Sequence, residues 1–198
     1  MTERRDQNES DAGGRAGDGQ VAPRPIILPY RGVWPKIHGS AFIAPGAAII
    51  GDVEIGPDAN IWYGCVLRGD VNFIRVGPRT NIQDGTIVHV AHEGWPTRIG
   101  SDVLIGHAAI VHACTLEDGS FVGMGARVMD EATVEAGAMV AAGALVAPGK
   151  RVGAGELWTG APAKLRRPVR AEETAENAET VKRYVRLGRE HGAAARGD

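Results

Sequence analysis

The chain has few of the residues that build an ordinary globular core. Four Trp, three Tyr and three Phe in 198 residues leave Val, Ile, Leu and Ala to fill the interior, which points to a narrow, regular core. Cysteine is equally scarce. Cys65 and Cys114 cannot form a disulfide framework and no CxxC occurs, so both read as small buried apolar residues in a reducing compartment. Excess charge is missing too: 22 basic against 24 acidic side chains give a net charge of −2, too small a field to gather nucleic acid or an anionic membrane. No apolar run of 18 residues exists, and the opening Met1–Ser10 lacks the apolar core of a signal peptide. A cytoplasmic protein with neither nucleic-acid nor membrane partner is expected.

What is abundant is glycine, 28 residues, and a period of six. Aliphatic residues fall at Ile37, Ile43, Ile49, Ile55, Ile61 and Leu67. The phase slips and restarts at Val76, Ile82, Val88, slips again at Ile99, Ile105, Val111, and resumes from Leu116 through Val122, Val128, Val134, Val140, Val146 and Val152. A helix repeats at 3.6 and a strand at 2, so neither accounts for sixes. A parallel β-helix does: each hexapeptide is a short strand and a corner, three make a triangular coil, and the aliphatic residue points inward. Glycines that follow the inward residue, as in Ile105-Gly106 and Val122-Gly123, are expected to let the backbone turn tightly.

Three segments are expected. Residues 1–24, polar and poor in large apolar side chains, read as a disordered tail. Residues 25–168 form the β-helix domain. Residues 169–198 supply a C-terminal amphipathic helix over Glu172 to about His191, with a frayed end from Gly192.

The register then sorts the histidines. His89 and His112 each follow a third-face aliphatic, Val88 and Val111, and so share one column on consecutive coils. Their separation exceeds a coil by a few residues, which an excursion around His92-Glu93-Gly94-Trp95-Pro96 absorbs. Arg68, after Leu67, belongs to the same column. His107 lies two places after the second-face Ile105, near another edge, and does not meet the other two rings within one chain. A threefold homotrimer would bring the His89/His112 edge of one copy to the His107 edge of the next. Three neutral imidazoles with an open fourth position suit catalytic Zn2+, and also Fe2+ or Co2+. His38 and His191 fall outside this pattern.

Arg68-Gly69-Asp70, Asn81-x-Gln83-Asp84, His89 and Gly106-His107-x4-His112 resemble the motif set of the gamma-class carbonic anhydrases and their bacterial relatives, over roughly Trp34 to Lys164. The resemblance implies an all-β, left-handed hexapeptide-repeat β-helix with a C-terminal α-helix, assembled as a homotrimer. It implies metal ligation by His89 and His112 of one subunit and His107 of the next, and hydration of CO2 to bicarbonate by metal-activated hydroxide. Arg68, Asp70 and Asp84 would form ion pairs fixing the trimer contact, and Asn81 and Gln83 would line the pocket. The sequence departs from the family pattern at two places where its best-studied enzymes carry glutamate, with Val71 and His92 there instead. His92 is then the candidate proton shuttle, with Glu93 beside it as a second. The competing readings are a metal-dependent acyl-CoA thioesterase, a hexapeptide acyltransferase using one histidine as base, and a non-catalytic trimeric scaffold.

Overall fold

The computed structural model describes residues 24–92 and 94–196. The polar stretch expected to be a tail therefore lies almost wholly outside the described residues. From Phe42 onward each hexapeptide becomes a short extended segment and a turn, and the segments stack into three parallel ladders. The second-face ladder runs Ile43, Ile61, Ile82, Ile105, Val122, Val140, Trp158 as successive register partners. The third-face ladder runs Leu67, Val88, Val111, Val128, Val146, and the first-face ladder Val76, Ile99, Leu116, Val134, Val152. Every aliphatic residue of the period from Ile49 to Val152 is buried, so the parallel solenoid expected from the sixes is the fold observed.

Glycines after the inward residue have a different purpose from the one expected. Gly106 and Gly123 are not in the left-handed region. A Cβ on Gly106 would sit 2.6 Å from the Met124 nitrogen, and one on Gly123 2.4 Å from the Ala142 nitrogen. They exist because successive coils press backbone on backbone there. The turns themselves are made three residues after the inward aliphatic, at positions such as Gly85 and Gly125 with φ of 71° and 65°.

Two departures from strict sixes shape the site. The extra residues between Leu67 and Val76 do not form a loop; they extend one strand, Val66–Val76, from which Arg68 and Asp70 project. Those after the core residue Val90 do leave the prism, with His92, Gly94 and Trp95 exposed between the strands Ile87–His89 and Thr97–Ile99.

The solenoid ends where Glu156–Thr159 pairs antiparallel with Lys164–Pro168, and the chain enters helix α1, Ala171–Arg196. Glu173 starts the helix. Its carboxylate accepts the Arg170 backbone N–H at 2.9 Å and two bonds from the Arg167 guanidinium, each 2.8 Å, the reach-back half of a capping box. Those bonds hold its carboxyl well below the usual carboxylate range, Arg167 contributing most. The helix runs past the expected end at His191 and stays helical through Gly192 to Arg196. The reason is His191, which packs on the Trp62 ring at 5.0 Å between centroids and hydrogen-bonds the Tyr63 hydroxyl at 2.8 Å. With Tyr184 and Leu187 on Phe42 and Trp62, it seats the last turns on the prism. Among the described residues no helix is long and apolar enough to cross a membrane.

Candidate metal centre

Alternation along a strand places every second side chain outside. In Ile87–His89 and Ile110–His112, Val88 and Val111 are fully buried and the flanking isoleucines and histidines face outward. The two strands pair in parallel with His112 directly opposite His89. One coil of spacing brings the rings together, and His89 Nδ1 lies 3.1 Å from His112 Nε2.

Carboxylates occupy the other nitrogens. Asp70 Oδ1 is 3.0 Å from His89 Nε2, and Asp130 Oδ1 is 2.6 Å from His112 Nδ1. An ionised carboxylate only accepts, so with both rings neutral, as metal ligation requires, each histidine spends its single N–H on its carboxylate. The facing nitrogens are then both bare lone pairs. Burial holds His89 below the usual imidazole range; the Asp70 carboxylate opposes this and the Arg68 cation adds to it. Asp70 is fixed in turn by a close ion pair with Arg68 and by the Val71 backbone N–H at 2.9 Å. Burial would raise its pKa, but the bonds from His89 and Arg68 outweigh that and lower it.

Two ring nitrogens on one tetrahedral ion, each at about 2.0–2.1 Å, stand roughly 3.3 Å apart. The observed 3.1 Å is close to that, with N–H groups already held by carboxylates in the manner of ligating histidines. The donor set fits a metal, as two of the ligands it needs.

His107 stands apart. It lies on the second-face corner one coil after Asp84, whose Oδ2 is 3.0 Å from its Nδ1. That leaves Nε2 for another partner. Among the described residues of one chain no group of three His, Cys, Asp or Glu side chains converges on a point where a metal could sit. His107 and Gln83 share instead a cleft of about 380 Å³ beneath α1. Gln83 Nε2 donates to Asn81 Oδ1 at 3.0 Å, and Asn81 Nδ2 donates to Asn60 Oδ1 at 2.5 Å, which also accepts from Trp62 Nε1 at 2.9 Å. Asn81 is fully buried, so it reaches the cleft only through Gln83. His92 is exposed on the loop, and Glu93 lies outside the described residues. Cys65, whose thiol donates to the Gln83 carbonyl at 3.0 Å, is pushed up to about 11 by burial and stays a neutral thiol.

Asp130, the partner of His112, escaped the sequence reading. It follows the third-face Val128 by two positions, in the next coil, where a carboxylate at a corner reads as surface charge.

A family model described as bacterial transferase hexapeptide (six repeats) matches residues 35–69. The chain is 49% identical over 164 residues to gamma carbonic anhydrase 2, mitochondrial, of Arabidopsis thaliana, covering 80% of this chain and 59% of that protein. It is 42% identical over 168 residues to a carbonic anhydrase of Geobacillus kaustophilus, covering 85% of this chain and 92% of that one. The chain belongs to the gamma carbonic anhydrase family. A solved hexapeptide transferase family protein from Anaplasma phagocytophilum is 52% identical, with a TM-score of 0.80 over 83% of this chain and 96% of that chain. This family member spans only 59% to 63% of the length of the three plant mitochondrial relatives. The resemblance carried by Arg68-Gly69-Asp70, His89 and Gly106-His107-x4-His112 is thus a kinship over most of the chain.

Proposed function

We propose that this chain is a subunit of a trimeric, metal-dependent carbonic anhydrase, with His89 and His112 of one copy and His107 of the next holding the metal. The observation that carries the reading is the pair of facing ring nitrogens 3.1 Å apart, each ring backed by a carboxylate on its other side. His107, likewise backed by Asp84, is the missing third donor and lies on another edge of the prism, so a neighbouring copy must bring it. Ile87 and Ile110, exposed beside the histidines, supply apolar surface for that contact.

Zinc, or iron or cobalt in its place, would supply the Lewis acidity by which water becomes a hydroxide nucleophile near neutral pH. The protein's part is orientation. Asp70, Asp84 and Asp130 fix the rings; Arg68 neutralises Asp70 so that the two anions nearest His89 and His112 do not repel each other uncompensated. Gln83, with its amide N–H committed to Asn81, keeps its carbonyl oxygen to accept from the attacking hydroxyl and aim its lone pair at the carbon of CO2. Addition forms a C–O bond and yields bicarbonate, and one proton must leave per turnover. His92, exposed on the loop, is assigned that transfer. A cytoplasmic setting belongs to the same reading and suits two free, buried cysteines.

An acyltransferase needs one histidine as base and gains nothing from two that present lone pairs to each other, so the anhydrase is preferred. The test is metal content per chain after anaerobic purification, then stopped-flow CO2 hydration with zinc, iron or cobalt restored. About one metal per chain with hydration supports the reading; metal without hydration moves the assignment to thioesters, and absence of metal removes it.

A further inference from the structure

Helix α1 is held at its start by Arg167, Arg170 and Glu173 and at its end by Tyr184, Leu187 and His191. Between these anchors Val181 is buried against the prism, and a cleft opens along the same side of the helix. The corners beneath it are Gly119 and Gly137, both in the left-handed region at φ of 67° and 63°, where glycine is favoured and no side chain rises to meet the helix. A Cβ at either would have nothing within 4 Å. The result is a cleft of about 550 Å³, within the range of small-molecule sites.

Its helix wall is apolar, formed by Ala178, Val181 and Val185, while its rim is cationic. Arg79 is committed to Asp102 through a two-point ion pair at 2.7 and 2.6 Å. Lys182 makes one exposed contact with Glu179 at 2.8 Å, which is weak and exchangeable. Arg186 makes no hydrogen bond or ion pair among the described residues. Of the lining side chains only Asp102 is acidic, against three cations. Arg186 feels the Glu179 charge but is not hydrogen-bonded to it, and a guanidinium above an apolar slot in a chain of net charge −2 is a local feature rather than a reflection of overall charge.

We propose that this cleft binds a medium-chain carboxylate, its alkyl chain against Val181 and Val185 and its head group on Arg186 with Lys182. Burial of the chain gives the affinity, and a planar guanidinium fits a carboxylate with two parallel bonds. The cleft lies at the corner between first and second faces; it shares Asn177 of α1 with the His107 cleft but contains none of the three histidines.

Decanoate titrated calorimetrically into the full-length protein tests this. Saturable binding at one site per chain is expected, with decanol binding at least about tenfold more weakly for want of the charged head group. Arg186→Glu, a surface change that leaves the fold intact, is expected to weaken decanoate by about tenfold or more. Val185→Trp should fill the slot and abolish binding of both compounds, with unchanged far-ultraviolet circular dichroism showing that α1 remains. No saturable binding, equal affinity for decanoate and decanol, or unchanged affinity in Arg186→Glu would overturn the proposal. Because the metal centre is untouched, metal content stays constant in every variant whichever way the titration falls.

Discussion

His89 and His112 are register partners on adjacent coils, and their rings meet at 3.1 Å through nitrogens whose protons are spent elsewhere. Two lone pairs at that distance repel unless a cation lies between them. The consequences can be measured separately.

Replacing His112 by Ala removes one bare nitrogen and nothing from the core, since the inward residue of that strand is Val111. The variant should lose metal binding yet remain a folded oligomer with near-unchanged thermal stability when both proteins are metal-free. Metal analysis with sedimentation checks this; full metal content in His112→Ala would remove His112 from the site.

Asp130 fixes the tautomer of His112 from behind. Asp130→Ala removes the acceptor, and the loss of that anchor is expected to weaken metal affinity by about 10–100-fold without abolishing it. Competition with a chelator of known affinity gives the number. Unchanged affinity would reduce Asp130 to a surface charge.

The pH dependence of stability in the metal-free protein has a definite sign. His89 is depressed below the usual imidazole range, so between that lowered pKa and the unfolded value near 6.5 the unfolded chain binds more protons. Stability is complete above about pH 6.5 and falls as pH drops below it. Asp70, also lowered, adds a second loss below about pH 4. Urea unfolding across this range should show the upper loss shrink in His89→Gln.

Backbone contact between coils is tested away from the site. Gly123→Ala drives a methyl to 2.4 Å from the Ala142 nitrogen and 2.7 Å from the Ala141 carbonyl carbon, with no flexible side chain to yield. A loss of about 3 kcal/mol in unfolding free energy is expected, at the upper end for overpacking. Gly123→Ala with native stability would mean the coils separate freely.

The solenoid was legible in the sequence because, phase slips aside, an inward aliphatic residue recurs at every sixth position from Ile49 to Val152, and each is buried. The column shared by His89 and His112 was legible for the same reason: side chains one place past the inward residue stack. Register counts positions along a coil, and it fails where a long side chain crosses between coils. Asp130 reaches His112 from the following corner, out of phase. Val66–Val76 absorbed its extra residues by lengthening a strand, which spacing alone does not separate from a loop. The helix outran its expected end because His191 is fixed by Trp62 and Tyr63, residues about 130 positions earlier that no local propensity reports.

The shared site is tested most directly by subunit complementation. Chains carrying His107→Ala and chains carrying His112→Ala each form oligomers without a complete site. In a mixed ring each copy passes one edge to the next, so one junction joins an intact His89/His112 pair to an intact His107. Co-expressed and separated by tags, the mixed trimers should hold about one metal each while both parent variants hold none. Mixed trimers as empty as their parents would contradict a centre built between copies.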